Sequence, residues 1–135
     1  MIAPKKFVLP DLVSHCTYPL LLNQHCDRVA RASEQWLLRE ANFSDARRDV
    51  FYGLKAGELT AACYPYADAY HLQVASDFMS YLFTLDDWSD QFNARDTHGL
   101  GHNVMSALRD PFAFETDKAA GKLAKWYVCF GRLSF

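Results

Sequence analysis

Residues 72–90 read Leu72-Gln73-Val74-Ala75-Ser76-Asp77-Phe78-Met79-Ser80-Tyr81-Leu82-Phe83-Thr84-Leu85-Asp86-Asp87-Trp88-Ser89-Asp90, within a helical run expected over 66–90. With Leu72 at zero and a step of about 100° per residue, Met79 falls near about −20° and Phe83 near about +20°; Asp86 lies near about −40° and Asp90 returns to the starting line. Val74, Phe78, Tyr81 and Leu85 take other directions, so the helix is apolar almost all round. Such a helix is expected in the middle of a larger helical protein. Two carboxylates on the same line as Leu72, Met79 and Phe83 conflict with that placement.

Outward from this run the pattern stays helical. Residues 23–40 place Cys26, Val29, Ala30, Trp36 and Leu37, preceded by Leu22, at three- and four-residue steps, with Arg28, Arg31 and Arg39 elsewhere. Ser44 is placed to cap a second helix carrying Phe51, Leu54, Glu58 and Ala61, which Tyr64-Pro65 ends. A polar loop, 93–97, precedes a short helix over 98–109, stopped by Asp110-Pro111. A last helix is expected from about Glu115, with Ala119, Leu123, Trp126, Tyr127 and Phe130 on one face. Residues 1–20, with prolines at 4, 10 and 19, read as an extended lead-in. No strand-period segment of useful length occurs, so the class is all-α.

Composition narrows the functions. The 135 residues are 50% hydrophobic and 15% aromatic, with 6 glycines and 5 prolines, which excludes a disordered or low-complexity chain. No apolar stretch approaches the ~20 residues of a membrane span. The net charge is −2 and no basic cluster exceeds a pair (Lys5-Lys6, Arg47-Arg48), which excludes a phosphate-tracking nucleic-acid face. Cys16, Cys26, Cys63 and Cys129 form no close pair. His15-Cys16 and His25-Cys26 stand ten residues apart, unlike the two-to-four spacing of structural zinc sites. The thiols are therefore expected to be buried and reduced, and the setting cytoplasmic.

Asp86-Asp87-Trp88-Ser89-Asp90 is a D-D-x-x-D pattern. On a helix, Asp86 and Asp90 are neighbours one turn apart and can converge on one ion. Magnesium takes one or two protein carboxylates, with waters and substrate phosphates completing its shell. A carboxylate pair at the end of an apolar helix therefore suits a diphosphate with a hydrocarbon tail. The alternative is a solvated helix end, and the 12 aspartates of this chain would produce the pattern by chance roughly one time in ten. Acids are nevertheless unfavourable at a helix C-terminus, so three of them there call for a compensating cation.

The runs Ala62-Cys63-Tyr64-Pro65-Tyr66-Ala67-Asp68, Asp77-Phe78-Met79 and Leu82 through Asp90 resemble the class I terpene synthases of basidiomycete fungi, mostly sesquiterpene cyclases. Phe7-Val8-Leu9-Pro10-Asp11-Leu12 and Asn23-Gln24-His25 resemble the same family, and the likeness covers residues 7 to about 125. The resemblance implies the α-helical class I terpenoid synthase fold. It also implies Mg²⁺-dependent ionisation and cyclisation of farnesyl diphosphate, with release of diphosphate. It puts the main metal ligand on Asp86, a second on Asp90, and an orienting role on Asp87. Phe83 matches a pocket-wall position that meets substrate, although ordinary core packing also accounts for it. No residue is assigned as a catalytic acid, base or nucleophile.

Two features of the family are missing. No Asn or Asp stands four residues before Ser or Thr and eight before Glu; Asn93 and Thr97 come nearest, but Gly101 fills the last place. No Arg is followed by Tyr. The expectation is one partial synthase domain over 1–135, with an atypical tail over 126–135 from a truncated product or an altered frame. The alternative function is a truncated, catalytically inactive fragment. Half a helical barrel would expose apolar surface and favour self-association.

Overall fold

The computed structural model describes residues 8–132, and among them there is no strand. Six helices follow in order: α1 (Cys26–Ala41), α2 (Asp45–Leu54), α3 (Ala56–Cys63), α4 (Ala69–Asp90), α5 (Ala94–Arg109) and α6 (Ala119–Arg132). Residues 1–7 of the lead-in, including Phe7, and residues 133–135 of the tail lie outside the description, as does the side chain of Phe130. From residue 8 the lead-in is irregular, with a turn in which Asp11 accepts from the Ser14 N–H. No helix of the described residues is long and apolar enough to cross a membrane.

The centre of the protein is the packing of α4 on α1, α3 and α6. Trp36, Leu37, Phe43, Phe51, Tyr81, Leu123 and Ala124 form one core cluster, and Trp126 stacks on Trp36 with ring centroids 4.5 Å apart. Full burial of side chains such as Leu37, Leu72 and Leu123 contributes about 1.5–3 kcal/mol each. The Tyr81 hydroxyl donates to the Ala120 carbonyl at 2.8 Å, tying α4 to α6. Asn23 links the start of α1 to the loop after α3. Its side-chain amide donates to Tyr64 O at 2.9 Å and Ala67 O at 2.7 Å, and its carbonyl accepts from the His25 N–H.

Four expectations are corrected. The single second helix is two, because Lys55 takes a left-handed conformation (φ 51°). The break frees α3 to approach α1 so closely that a Cβ on Gly57 would sit 2.4 Å from Ala30 Cβ. α5 begins four residues early, since Asn93 caps it by accepting from the N–H groups of Arg95 and Asp96. α6 begins late, after a turn in which Asp110 accepts from the Ala113 N–H, and it runs on through residues 126–132. Leu22 is exposed rather than part of the α1 stripe.

α4 also differs from a helix buried on every side. Its buried stripe is Leu72, Ser76, Asp77, Ser80, Tyr81 and Thr84, mostly small and polar. Small side chains let α1 come close, and Ser33 and Ser80 share a hydrogen bond of 3.1 Å across the contact. Phe78 and Leu82, by contrast, are each 43% exposed.

Candidate functional site

α4, whose last turn carries the acidic motif, is held at both of its ends. At its start, Asp68 accepts from the His71 N–H at 2.9 Å, a bond that also keeps the Asp68 carboxyl below its ordinary range. At its end, the Gln91 N–H returns to Trp88 O, and the Ser89 hydroxyl donates to Asp86 O at 2.8 Å. Trp88 packs edge-on to Phe43 at 6.2 Å, which fixes the last turn against the core.

Asp86, Asp87 and Asp90 border one groove of about 210 Å³. Phe83 and Thr84 line it from α4, with Phe43, Arg47, Val50, Phe51 and Leu54 opposite. Phe83 is half-buried, and Asp86 and Asp90 are exposed. The four residues singled out in the sequence thus share one groove, apolar on one side and acidic on the other.

The three carboxylates are not equivalent. Asp87 is ion-paired to Arg47 of α2, and its other oxygen accepts from the Gln91 side chain at 3.3 Å. Among the described residues no ion pair or hydrogen bond engages the carboxylate of Asp86 or Asp90. Arg47 is therefore the compensating cation that three acids at a helix C-terminus require, and it serves Asp87 alone. Sequence reasoning missed Arg47 and Gln91. A signal did exist: Phe43, Arg47, Val50, Phe51 and Leu54 follow helical steps, so Arg47 rides on the same face as the groove lining.

No group of three or more His, Cys, Asp or Glu side chains able to hold a metal occurs among the described residues. The groove offers two free carboxylates, all hard oxygen donors. That is the number and chemistry a Mg²⁺ ion takes from protein when phosphate and water complete its shell. The cysteines give no alternative: all four are free, with Cys26 buried, Cys16 and Cys63 exposed and Cys129 in between. The expectation of buried thiols thus holds only for Cys26, whose pKa burial raises.

Two other features lie outside the groove. A larger cavity of about 670 Å³ between α5 and α6 shares only Trp88 with the motif. Asp77, deep between α4 and α1, is pushed up to about 6 by burial, against the hydrogen bond from Gln73.

No protein-family model matches the chain. It is similar to sesquiterpene synthase 1 of Postia placenta, at 50% identity over 93% of this chain and 37% of that protein. Alpha-muurolene synthase of Coprinopsis cinerea is 42% identical over 94% of this chain and 32% of its own length. Sesquiterpene synthase Agr1 of Cyclocybe aegerita is 38% identical over 90% and 35%. The chain spans about a third of the length of the curated relatives it matches.

Proposed function

We propose that the chain is a segment of a basidiomycete sesquiterpene synthase, matching about a third of the length of its relatives, and that it carries the metal–diphosphate half of a cyclase site. The substrate of the whole enzyme is a prenyl diphosphate, with farnesyl diphosphate the one assigned, and the cofactor is Mg²⁺. The observation that carries this reading is the groove that Phe83, Asp86, Asp87 and Asp90 line together.

Asp86 and Asp90 would hold the ion. When bound, Mg²⁺ neutralises the leaving diphosphate. The remaining work falls to the chain. Arg47 keeps Asp87 occupied, so the acidic edge presents two carboxylates rather than three. Val50, Phe51, Leu54 and Phe83 offer an apolar wall to the hydrocarbon, and the Phe83 ring face favours a passing carbocation.

A specific observation supports the second reading, a fragment inactive by itself. Phe78 and Leu82 stand on the solvent side of α4, and the Asn/Asp–Ser/Thr–Glu motif occurs nowhere in these residues. A segment that matches only about a third of its relatives' length accounts for both features. The exposed apolar face would drive self-association, and the setting is cytoplasmic. We expect purified chain, farnesyl diphosphate and Mg²⁺ to give little or no volatile product. A cyclic product that disappears in Asp86→Ala would overturn the inactive reading and support a competent cyclase.

A further inference from the structure

We propose that Arg47 is the positioning residue of the acidic groove: it withdraws Asp87 from the ligand set and fixes the end of α4 so that Asp86 and Asp90 meet the metal–diphosphate ligand. The proposal rests on the reading of Asp86 and Asp90 given above.

Helix geometry separates the three acids. Asp90 lies about 40° from Asp86 around α4, whereas Asp87 lies about 100° away. Arg47 meets Asp87 on that side, coming from α2. Its guanidinium also donates to the Gln91 side-chain carbonyl at 2.8 Å, and Gln91 returns to the second oxygen of Asp87. Arginine, aspartate and glutamine therefore close a ring around the last turn of α4. The guanidinium lies over the Phe43 ring, 5.8 Å from its centroid, and Phe43 is itself buried against Trp88 and Phe51.

This is unlike an ordinary surface arginine. The neighbouring Arg48 is more exposed and, among the described residues, pairs only with Asp45, at 3.7 Å within its own helix. Arg47 is 27% exposed and joins two helices. Its buried Nε–H has no partner among the described residues, so its polar anchoring there comes from the outer nitrogens. A planar fork meeting two acceptors over an aromatic face is a role lysine cannot fill. Without Arg47, Asp87 would be released as a third negative group beside Asp86, with no fixed direction.

The test titrates Mn²⁺ with inorganic diphosphate onto the full chain, followed by electron paramagnetic resonance, for wild type, Arg47→Ala, Asp87→Asn, the double variant and Arg47→Lys. Each single change is expected to weaken binding about three- to tenfold, and the double variant no further than either alone, because both act through one contact. Arg47→Lys is expected not to restore affinity. Independent, multiplying effects, or full rescue by lysine, would overturn the proposal in favour of bulk charge. Asp86→Asn tests the underlying reading separately. Were wild type and Asp86→Asn to bind alike, that reading would fall, and amide exchange at residues 86–91 would decide for Arg47. Faster exchange there in Arg47→Ala supports positioning, and unchanged exchange overturns it.

Discussion

Arg47 and Asp87, forty positions apart in sequence, form an ion pair that joins α2 to the last turn of α4. The pair divides the acidic motif into one neutralised carboxylate and two open ones. It also couples the apolar wall of the groove, which α2 supplies, to the acidic edge, which α4 supplies.

The division predicts different stabilities for neighbouring substitutions. Asp87→Asn should lower stability by up to about 1 kcal/mol, the range of a partly exposed pair. Asp86→Asn and Asp90→Asn, which lose no protein partner, should stay within about 0.5 kcal/mol of wild type. Urea denaturation of the three variants separates these outcomes.

Asp77 predicts a pH dependence. It is 1% exposed, Gln73 donates to one oxygen at 2.8 Å, and the other oxygen has no partner among the described residues. Its folded pKa of about 6 lies above the 3.8 of the free side chain, so the folded state binds the proton more tightly. Stability from this group is fully present below about pH 4 and is lost as pH rises to about 6, by about 3 kcal/mol in all. Asp77→Asn should remove that slope. The difference between wild type and variant, measured by urea titration from pH 4 to 7, should grow in favour of the variant.

Asn23 satisfies two carbonyls of the loop after α3 and is itself buried. Asn23→Ala should cost about 2–3 kcal/mol, because the acceptors of Tyr64 and Ala67 lose their donor away from water. A denaturation midpoint close to wild type would show that the loop relaxes instead.

Two glycines predict opposite signs. A Cβ at Gly57 would meet Ala30 Cβ at 2.4 Å and its Cα at 2.6 Å, so Gly57→Ala should destabilise by about 1–3 kcal/mol. Gly53 faces open space inside α2, and Gly53→Ala should stabilise by up to about 1 kcal/mol. Thermal melts of the two variants check the contrast.

Sequence periodicity located α1, the end of α3 at Tyr64-Pro65 and the reach of α4 to Asp90, because those signals are local. The break at Lys55 was not legible, since a left-handed lysine has no compositional mark; close approach of Gly57 to Ala30 accompanies it. Asn93 carried a capping signal that its polar neighbours disguised as loop. The buried face of α4 was misjudged because hydrophobic patterning does not weigh Ser76, Ser80 and Thr84, whose merit is smallness. Asp86, Asp87, Asp90 and Phe83 were legible as a set; helical spacing put Arg47 on the apolar face of α2, but its pairing with Asp87, forty positions away, is a tertiary contact that spacing does not encode.

We propose that Asp86 and Asp90 form a divalent-metal half-site for a prenyl diphosphate. Calorimetric binding of farnesyl diphosphate to the purified chain, with and without Mg²⁺, tests it most directly. Binding should depend on Mg²⁺ and weaken at least about tenfold in Asp86→Asn, the loss expected on removing a charge-assisted ligand. Binding that is indifferent to Mg²⁺, or unchanged in Asp86→Asn, would contradict it.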